Sequence, residues 1–459
     1  MKKLLVTILS FTLLLGGFGC KGLNATQQAA IKPVTLTYWT VYDNMSELQR
    51  LAEQYRALHS YVTINIHQLR YEEYQDKFLT ALADDVGPDI MSMHVRDLQK
   101  HTGRLSSSPA TVSSATVVTT GGFNPQTTVT PAQNTMPTAN GVKNNYLATV
   151  GNDVIFGGKI YGLPLTVDTM ALYYNKDLLD ASGIATPPTN WEEFLIAVKQ
   201  ATKIDANDPT KIIQSAVALG TGNNIDNAPD LYALLLMQKG LKIIDQDRVA
   251  FIENSNRNQA SPAFESLRFY TDFARQEKEA YTWNEFQANA FDEFVRGKSV
   301  FYFGFGFDFD RIKARAPQMN LAVTPMLQLN TEAPINVASY WVNTVPKKSK
   351  HQNEAWDFIR FISQPDNIKT YSTAAHIPSA LRIHNKDQKN DENPLAPFAK
   401  QVLQANNWYR GKDYPAASLA FRQLITGYLA PIVETDTRNN EDRDEKLMTT
   451  AAQTLQQTL

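Results

Sequence analysis

Residues 34–93 read VTLTYWTVYDNMSELQRLAEQYRALHSYVTINIHQLRYEEYQDKFLTALADDVGPDIMSM. Val34 to Val41 alternates apolar and polar residues and stops at Asp43-Asn44, the pattern of a half-buried strand closed by a turn. Met45 to His59 carries Leu48, Leu51, Ala52, Tyr55 and Leu58 at helical spacing, and Val62-Thr-Ile-Asn-Ile makes a second strand. Another helix presents Tyr71, Tyr74, Phe78 and Leu82 on one face. Gly87-Pro88-Asp89 breaks it before a third strand, Ile90-Met-Ser-Met. The order strand, helix, strand, helix, strand predicts right-handed crossovers and a parallel sheet with helices on both faces, an α/β fold.

The chain of 459 residues has room for two or three domains of about 100–200 residues each. Hydrophobic residues at 43% and charged residues at 20% let most of it bury a core, which excludes global disorder and a polytopic membrane protein. Lys+Arg 44 against Asp+Glu 46 leaves a net charge of -2 and no electrostatic footprint for nucleic acid. Aromatics reach 10%, several of them beside turn residues, where rings can stack on flat ligands. A single Cys excludes an internal disulfide, a thiolate zinc site and an iron–sulfur cluster.

That Cys closes the segment MKKLLVTILSFTLLLGGFGC, where Lys2 and Lys3 precede an apolar run from Leu4 to Phe18. The segment reads as a secretory signal peptide, residues 1–19. Its run falls short of the roughly 20 residues that span a bilayer, and polar Thr7, Ser10 and Thr12 interrupt it. The end resembles a bacterial lipoprotein signal, in which cleavage leaves an N-terminal Cys bearing lipid, although Gly17 stands where the usual pattern has Leu. Cys20 is then the lipidation site, and residues 20–32, polar and small, tether a folded body to the cell membrane, facing the periplasm or the cell exterior.

Residues 105–142 are rich in Ser, Thr, Pro and Asn with almost no charge, and read as a flexible surface insertion. Folding resumes with Gly158-Lys-Ile-Tyr-Gly-Leu-Pro-Leu and Met170-Ala-Leu-Tyr-Tyr-Asn, both extended. Thr189-Asn190 before Trp191-Glu-Glu-Phe caps a helix. Further helices are expected at 229–239, 262–277, 285–296, 351–363, 365–375 and 415–429, with an aromatic strand from Val300 that ends at Asp308. Glu434 to Glu445 reads as a solvated charge run before a final amphipathic helix.

Residues 157–194, GGKIYGLPLTVDTMALYYNKDLLDASGIATPPTNWEEF, closely resemble the hallmark region of the extracellular solute-binding proteins, family 1, the sugar-binding subunits of ABC importers. Glu293-Phe-Val-Arg-Gly-Lys-Ser-Val-Phe-Tyr-Phe-Gly and Ala338 to Ser363 are similar to two further stretches of that family, one leading into the ligand cleft and one recrossing the hinge. The resemblance implies a periplasmic-binding-protein fold, type II-like, with two α/β lobes closing around ligand. It divides the chain into lobe 1 at 33–166, lobe 2 at 167–333, a hinge recrossing with lobe 1 helices at 334–390, and C-terminal helices mainly of lobe 2 at 391–459.

Ligands in such folds sit between domains, outside the carboxyl ends of strands, so residues just after strand ends are the candidates. Trp39, Tyr42 and Asp43 follow the first strand. A ring can stack on the C–H face of a sugar while a carboxylate accepts its hydroxyls. Trp39 could equally be core and Asp43 an N-cap. His94 closes the third strand and is either a contact or a surface histidine. Asp168 is where the resemblance places a hinge-side acidic ligand residue, against a turn-forming role. Asn223 and Asn224 offer amides in a Gly-Asn loop that needs no ligand to exist. Phe305 and Phe307 lie where relatives carry a stacking aromatic, Tyr340 and Trp341 at the hinge recrossing, and Trp408 in an exposed loop.

No His-Glu-x-x-His, Gly-x-Ser-x-Gly or phosphate loop is present, so no catalytic, metal or cofactor residue is assigned. The expected protein is a monomeric substrate-binding lipoprotein that carries a mono- or oligosaccharide unchanged to ABC permease subunits. A secreted carbohydrate-active enzyme, built from two carboxylates on distant segments, and a ligand-sensing lipoprotein for a signalling partner are the alternatives.

Overall fold

A computed structural model describes residues 23–121, 126–252, 261–393, 395–431 and 437–459. The expected signal peptide and Cys20 lie outside the described residues. Along the chain come β1 (Val34–Thr40), β2 (Val62–Gln68), β3 (Ile90–His94), β4 (Leu105–Ser106) and the pair β5 (Thr111–Thr120) and β6 (Gln126–Thr135). There follow β7 (Asp168–Asn175), β8 (Lys203–Asp205), β9 (Asp208–Val217), β10 (Ser299–Phe305), β11 (Leu321–Pro325), β12 (Asn336–Ser339), β13 (Trp341–Pro346) and β14 (Ala405–Asn406).

Two large sheets result, and each has its own core. The first runs β2-β1-β3-β13-β4, the second β8-β9-β10-β7-β12-β14 with β11 also paired to β7. β1 is parallel to β2 and to β3, as the βαβαβ order requires. Leu36 and Tyr38 of β1 are buried with Leu48, Leu51 and Tyr55 of helix Met45–Leu58, whose first turn is capped by Asn44 Oδ1 accepting from the Glu47 amide at 3.1 Å. In the second lobe β7 runs antiparallel to β10, β11 and β12, and Phe301, Phe303 and Tyr173 pack with Phe194 and Leu231.

Among the described residues the chain passes between the two cores at several places. Val167 belongs to the first and Met170 to the second; Val337 lies in the second and Ala338 in the first; Leu381 packs in the first and Phe398 in the second. Two lobes joined by short crossings can rotate about them as bodies, since no loop need reorganise inside either core.

Three expectations change. The 105–142 tract is not a structureless insertion: β5 and β6 pair in register from Thr111↔Thr135 to Thr120↔Gln126. Its β-branched Thr and Val residues suit a strand, and Pro131 is tolerated because the ribbon has only two strands. The base is part of the first lobe, with Val112 and Met136 buried in its core and Asn134 donating to the buried Asp357 carboxylate at 3.0 Å. Of the charge run, residues 434–436 lie outside the described residues, and the rest belongs to one helix, Thr437–Gln457, that buries Met448, Ala451 and Leu455 in the second core. The helix expected at 285–296 is confined to Ala290–Val295, capped by Asn289.

Asp357 also accepts from the Tyr55 hydroxyl at 2.8 Å and from Arg360 Nε at 3.0 Å. Replacing residues 111–135 by a short Gly/Ser linker uncovers apolar surface and removes one of these partners. We expect a loss of about 3 kcal/mol or more in urea unfolding. A variant as stable as the parent would show that the hairpin base adds nothing to the core.

Candidate functional site

A cavity of about 210 Å³ lies between the lobes, and the ends of several strands and helices meet in it. From the first lobe, the turn after β1 brings Tyr42 and Asp43, and the end of β3 brings His94 and Arg96. From the second, β7 begins at Asp168, the turn after β10 brings Phe305 and Phe307, and helix Ala228–Gln238 contributes Asp230 in its first turn. Tyr340 and Trp341 sit on the crossing between β12 and β13. Of the twelve residues expected at a ligand site, eight therefore line one cavity.

Rings form its apolar wall. Tyr42 stacks on Phe307 across the lobes, with centroids 5.4 Å apart and planes 25° apart, and meets Trp341 edge-on at 5.7 Å. Tyr71 stacks on the other side of Tyr42 at 5.9 Å. Tyr42 is 44% exposed, so this wall is open to a ligand rather than closed into either core. Tyr340, by contrast, is nearly sealed, and its hydroxyl donates to Asp153 at 2.7 Å.

The carboxylates do different work. Asp43 is not the helix cap, because Asn44 takes that place. One Asp43 oxygen accepts from the Tyr371 hydroxyl at 2.8 Å and the other from Thr40 Oγ1. Asp168 was expected to take sugar hydroxyls, but its carboxylate is largely committed to backbone. Oδ1 accepts from the amides of Thr169 at 2.8 Å and Gly306 at 2.6 Å, and Oδ2 from Phe307 at 3.0 Å. Asp168 thus ties the aromatic turn to the strand that leaves the hinge. Gly306 is required there: a Cβ would stand 2.8 Å from Asp168 Oδ1 and 3.0 Å from the His376 carbonyl. Asp308 holds the same turn from its far side, accepting from the Phe305 amide at 3.1 Å and from Arg311 at 2.6 Å.

Burial pushes Asp168 up to about 7 and Asp308 up to about 6, against the amide and guanidinium donors that favour their anions. His94 is held well below the usual imidazole range by burial and then by Arg96, so it is neutral, with Nε2 3.1 Å from Ser339 Oγ. Arg96 crosses between the lobes: Nη2 lies 2.5 Å from Asp230 Oδ1, with both side chains buried.

Four expected residues lie elsewhere. Trp39 packs against the first core. Asn223 is exposed, 3.5 Å from Thr426 Oγ1. Asn224 is a structural clamp, donating to the carbonyls of Asn284 and Gln287 at 3.0 Å and accepting from the Trp283 indole at 3.1 Å. Trp408 is buried behind the cavity, its indole donating to Asp230 at 2.6 Å. The most informative residues not expected are Arg96 and Asp230. Their signal was present: Asp230 is the lone charge in an apolar helix, which needs a partner.

Residues 50–396 match the family described as bacterial extracellular solute-binding protein. The chain belongs to that family. Two relatives are distant: it is 24% identical over 234 residues to a Brucella abortus protein named for binding alone, covering 49% of this chain and 51% of that one. It is 22% identical over 285 residues to the multiple sugar-binding protein of Streptococcus mutans, covering 61% and 65%. The chain spans about half the length of the Brucella relative. Among solved structures, an ABC transporter solute-binding protein of Thermotoga lettingae bound with α-D-tagatose superposes with a TM-score of 0.66 at 18% identity, covering 92% of this chain and 99% of that one. A cyclo/maltodextrin-binding protein complexed with maltotetraose gives 0.66 at 15%, covering 93% and 97%. This solute-binding protein shares their two-lobed fold.

A raised carboxylate has a definite sign. The folded value of Asp168 near 7 lies above the unfolded value of about 3.9. Its contribution to stability is therefore fully present below the unfolded value and is lost as pH rises through about 7. Urea unfolding across that window should show the parent losing stability, and Asp168→Asn losing less of it. Parallel curves for the two proteins would show that Asp168 ionises as it does in the unfolded chain.

Proposed function

We propose that this protein captures a carbohydrate of one or two rings between its lobes and delivers it, unchanged, to the permease subunits of an ABC importer. The observation that carries this reading is the open aromatic wall of Tyr42, Phe307 and Trp341 beside carboxylate and amide acceptors, in a cleft spanned by both lobes. Rings matched to the C–H face of a sugar and acceptors matched to its hydroxyls are the two chemistries such a ligand presents. The cavity of about 210 Å³ is smaller than the roughly 300–1,000 Å³ of pockets for larger ligands, which favours one or two rings over a long oligosaccharide. Sugars bound by distant relatives of the same fold, tagatose and maltotetraose, support the same class.

Delivery would follow from closure. A ligand that touches both lobes stabilises the closed arrangement by its differential affinity for it, and the permease would read the closed surface. The export signal and Cys20 support a lipid-anchored location on the outer side of the cell membrane.

A thermal-shift screen over mono- and disaccharides tests the ligand class. A sugar at 100 times its dissociation constant should add about 2.7 kcal/mol. No shift with any sugar would overturn the reading, and so would chemical turnover of a bound one, followed by mass spectrometry. With a binding sugar in hand, Phe307→Ala should weaken it about tenfold, the loss of one stacking contact at about 1.4 kcal/mol per decade. Cys20→Ser should release the exported protein from the membrane fraction, and a variant that fractionates like the parent would end the anchoring proposal.

A further inference from the structure

The charges that line the cleft are unequal. Asp43, Asp226 and Asp230 face a single guanidinium, Arg96, and no lysine lines it among the described residues; Asp168, spent on backbone amides, is not counted. That guanidinium is not free. Its side chain is 3% exposed, Nη2 and Nη1 lie 2.5 and 3.3 Å from the two oxygens of Asp230, and Nη1 also donates to the Tyr414 hydroxyl at 2.6 Å. Its charge centre lies over the rings of Tyr414 and Trp408, at 4.7 and 5.4 Å. Asp230 is fixed in turn by the Trp408 indole N–H. His94 adds no charge, and Arg311 beside the aromatic turn is taken by Asp308 at 2.6 Å.

An anionic group entering this cleft would find no unpaired cation among the described residues and would approach Asp43 and Asp226, whose charges nothing in the lining cancels. A neutral hydroxyl would meet the carboxylate acceptors without that repulsion. We propose, on the carbohydrate reading above, that Asp230 is a specificity-determining residue: by holding Arg96 in a closed pair it makes the cleft select neutral sugars and reject acidic ones. The same pair joins the lobes, since Arg96 follows β3 and Asp230 belongs to helix Ala228–Gln238. Removing Asp230 would leave a buried guanidinium uncompensated, and a sugar carboxylate is the bidentate partner it would then take.

Calorimetric titration of the full chain with matched pairs tests this: glucose and glucuronate, galactose and galacturonate, mannose and mannuronate, cellobiose and cellobiouronate. The parent should bind the neutral member of a pair about a hundredfold more tightly, because like charges repel strongly in a partly dehydrated cleft. Asp230→Asn should narrow that ratio by about tenfold or more, since one charge is removed and Arg96 is released. The double variant Arg96→Met with Asp230→Asn should lose the gained affinity for the uronate. A purely structural role for the pair would change both members of a couple alike and leave the ratio fixed, which would overturn the assignment. Should Asp230→Asn fail to unfold cooperatively, the parent's own ratio decides: equal binding of the acidic and neutral members would overturn it. Binding of no member of any pair would instead refute the carbohydrate reading, and this inference with it.

Discussion

The turn Phe305-Gly306-Phe307 stays in the cleft because Asp168 holds it there. A buried carboxylate is costly unless its oxygens are occupied, and here three backbone amides occupy them, two from the turn itself. The interaction links parts of the chain far apart in sequence: the first residue of the strand leaving the hinge, and the residue whose ring meets Tyr42 of the other lobe. Without it the turn would have to satisfy those amides with water, and Phe307 would lose a fixed position. Asp308, holding the same turn from outside, makes the restraint two-sided.

This arrangement explains why the site was only partly legible in the sequence. The α/β order of residues 34–93 and the apolar strand Ser299–Phe305 could be read from periodicity, because burial on one or both sheet faces leaves that mark. Tyr42 could be found because it follows a strand end, where such folds bind ligand, and Phe307 and Trp341 because the resemblance places a stacking aromatic and the hinge recrossing there. The role of Asp168 could not: whether a carboxylate accepts a ligand hydroxyl or a backbone amide depends on a turn some 138 residues away in sequence. Asn224 failed for the same reason, since its amide serves the loop around Asn284. The hairpin base failed differently. Ser and Thr make a composition common to loops and to exposed strands, and only the partner surface around Tyr61 and Asn353 decides between them.

Pairing across the cleft raises a question of energetics. Arg96 and Asp230 are both desolvated, and a buried ion pair need not stabilise a protein relative to apolar residues of the same shape. Its contribution lies in geometry. The two groups can meet only when the lobes approach, so whatever the pair contributes favours one relative placement of the lobes, with the Tyr414 hydroxyl on Arg96 and the Trp408 indole on Asp230 adding to it. A cleft whose side chains are held by one another has fewer of them to order on binding, and each rotamer-rich side chain already fixed spares about 0.5–1.5 kcal/mol.

The same logic separates the groups a ligand can use from those it cannot. Groups whose charge is paired inside the protein, such as Arg96 with both Nη atoms on Asp230, shape the cavity and its field more than they offer a contact. Those with spare capacity and exposure, the carboxylate of Asp43 and the rings of Tyr42 and Phe307, are the ones a ligand can engage without breaking what is there. A neutral polyol fits that division: its hydroxyls donate to acceptors that are already anionic, and its C–H faces cover rings that would otherwise stay wet. Closure then removes both kinds of surface from water together, so the affinity of the ligand and the placement of the lobes become one equilibrium.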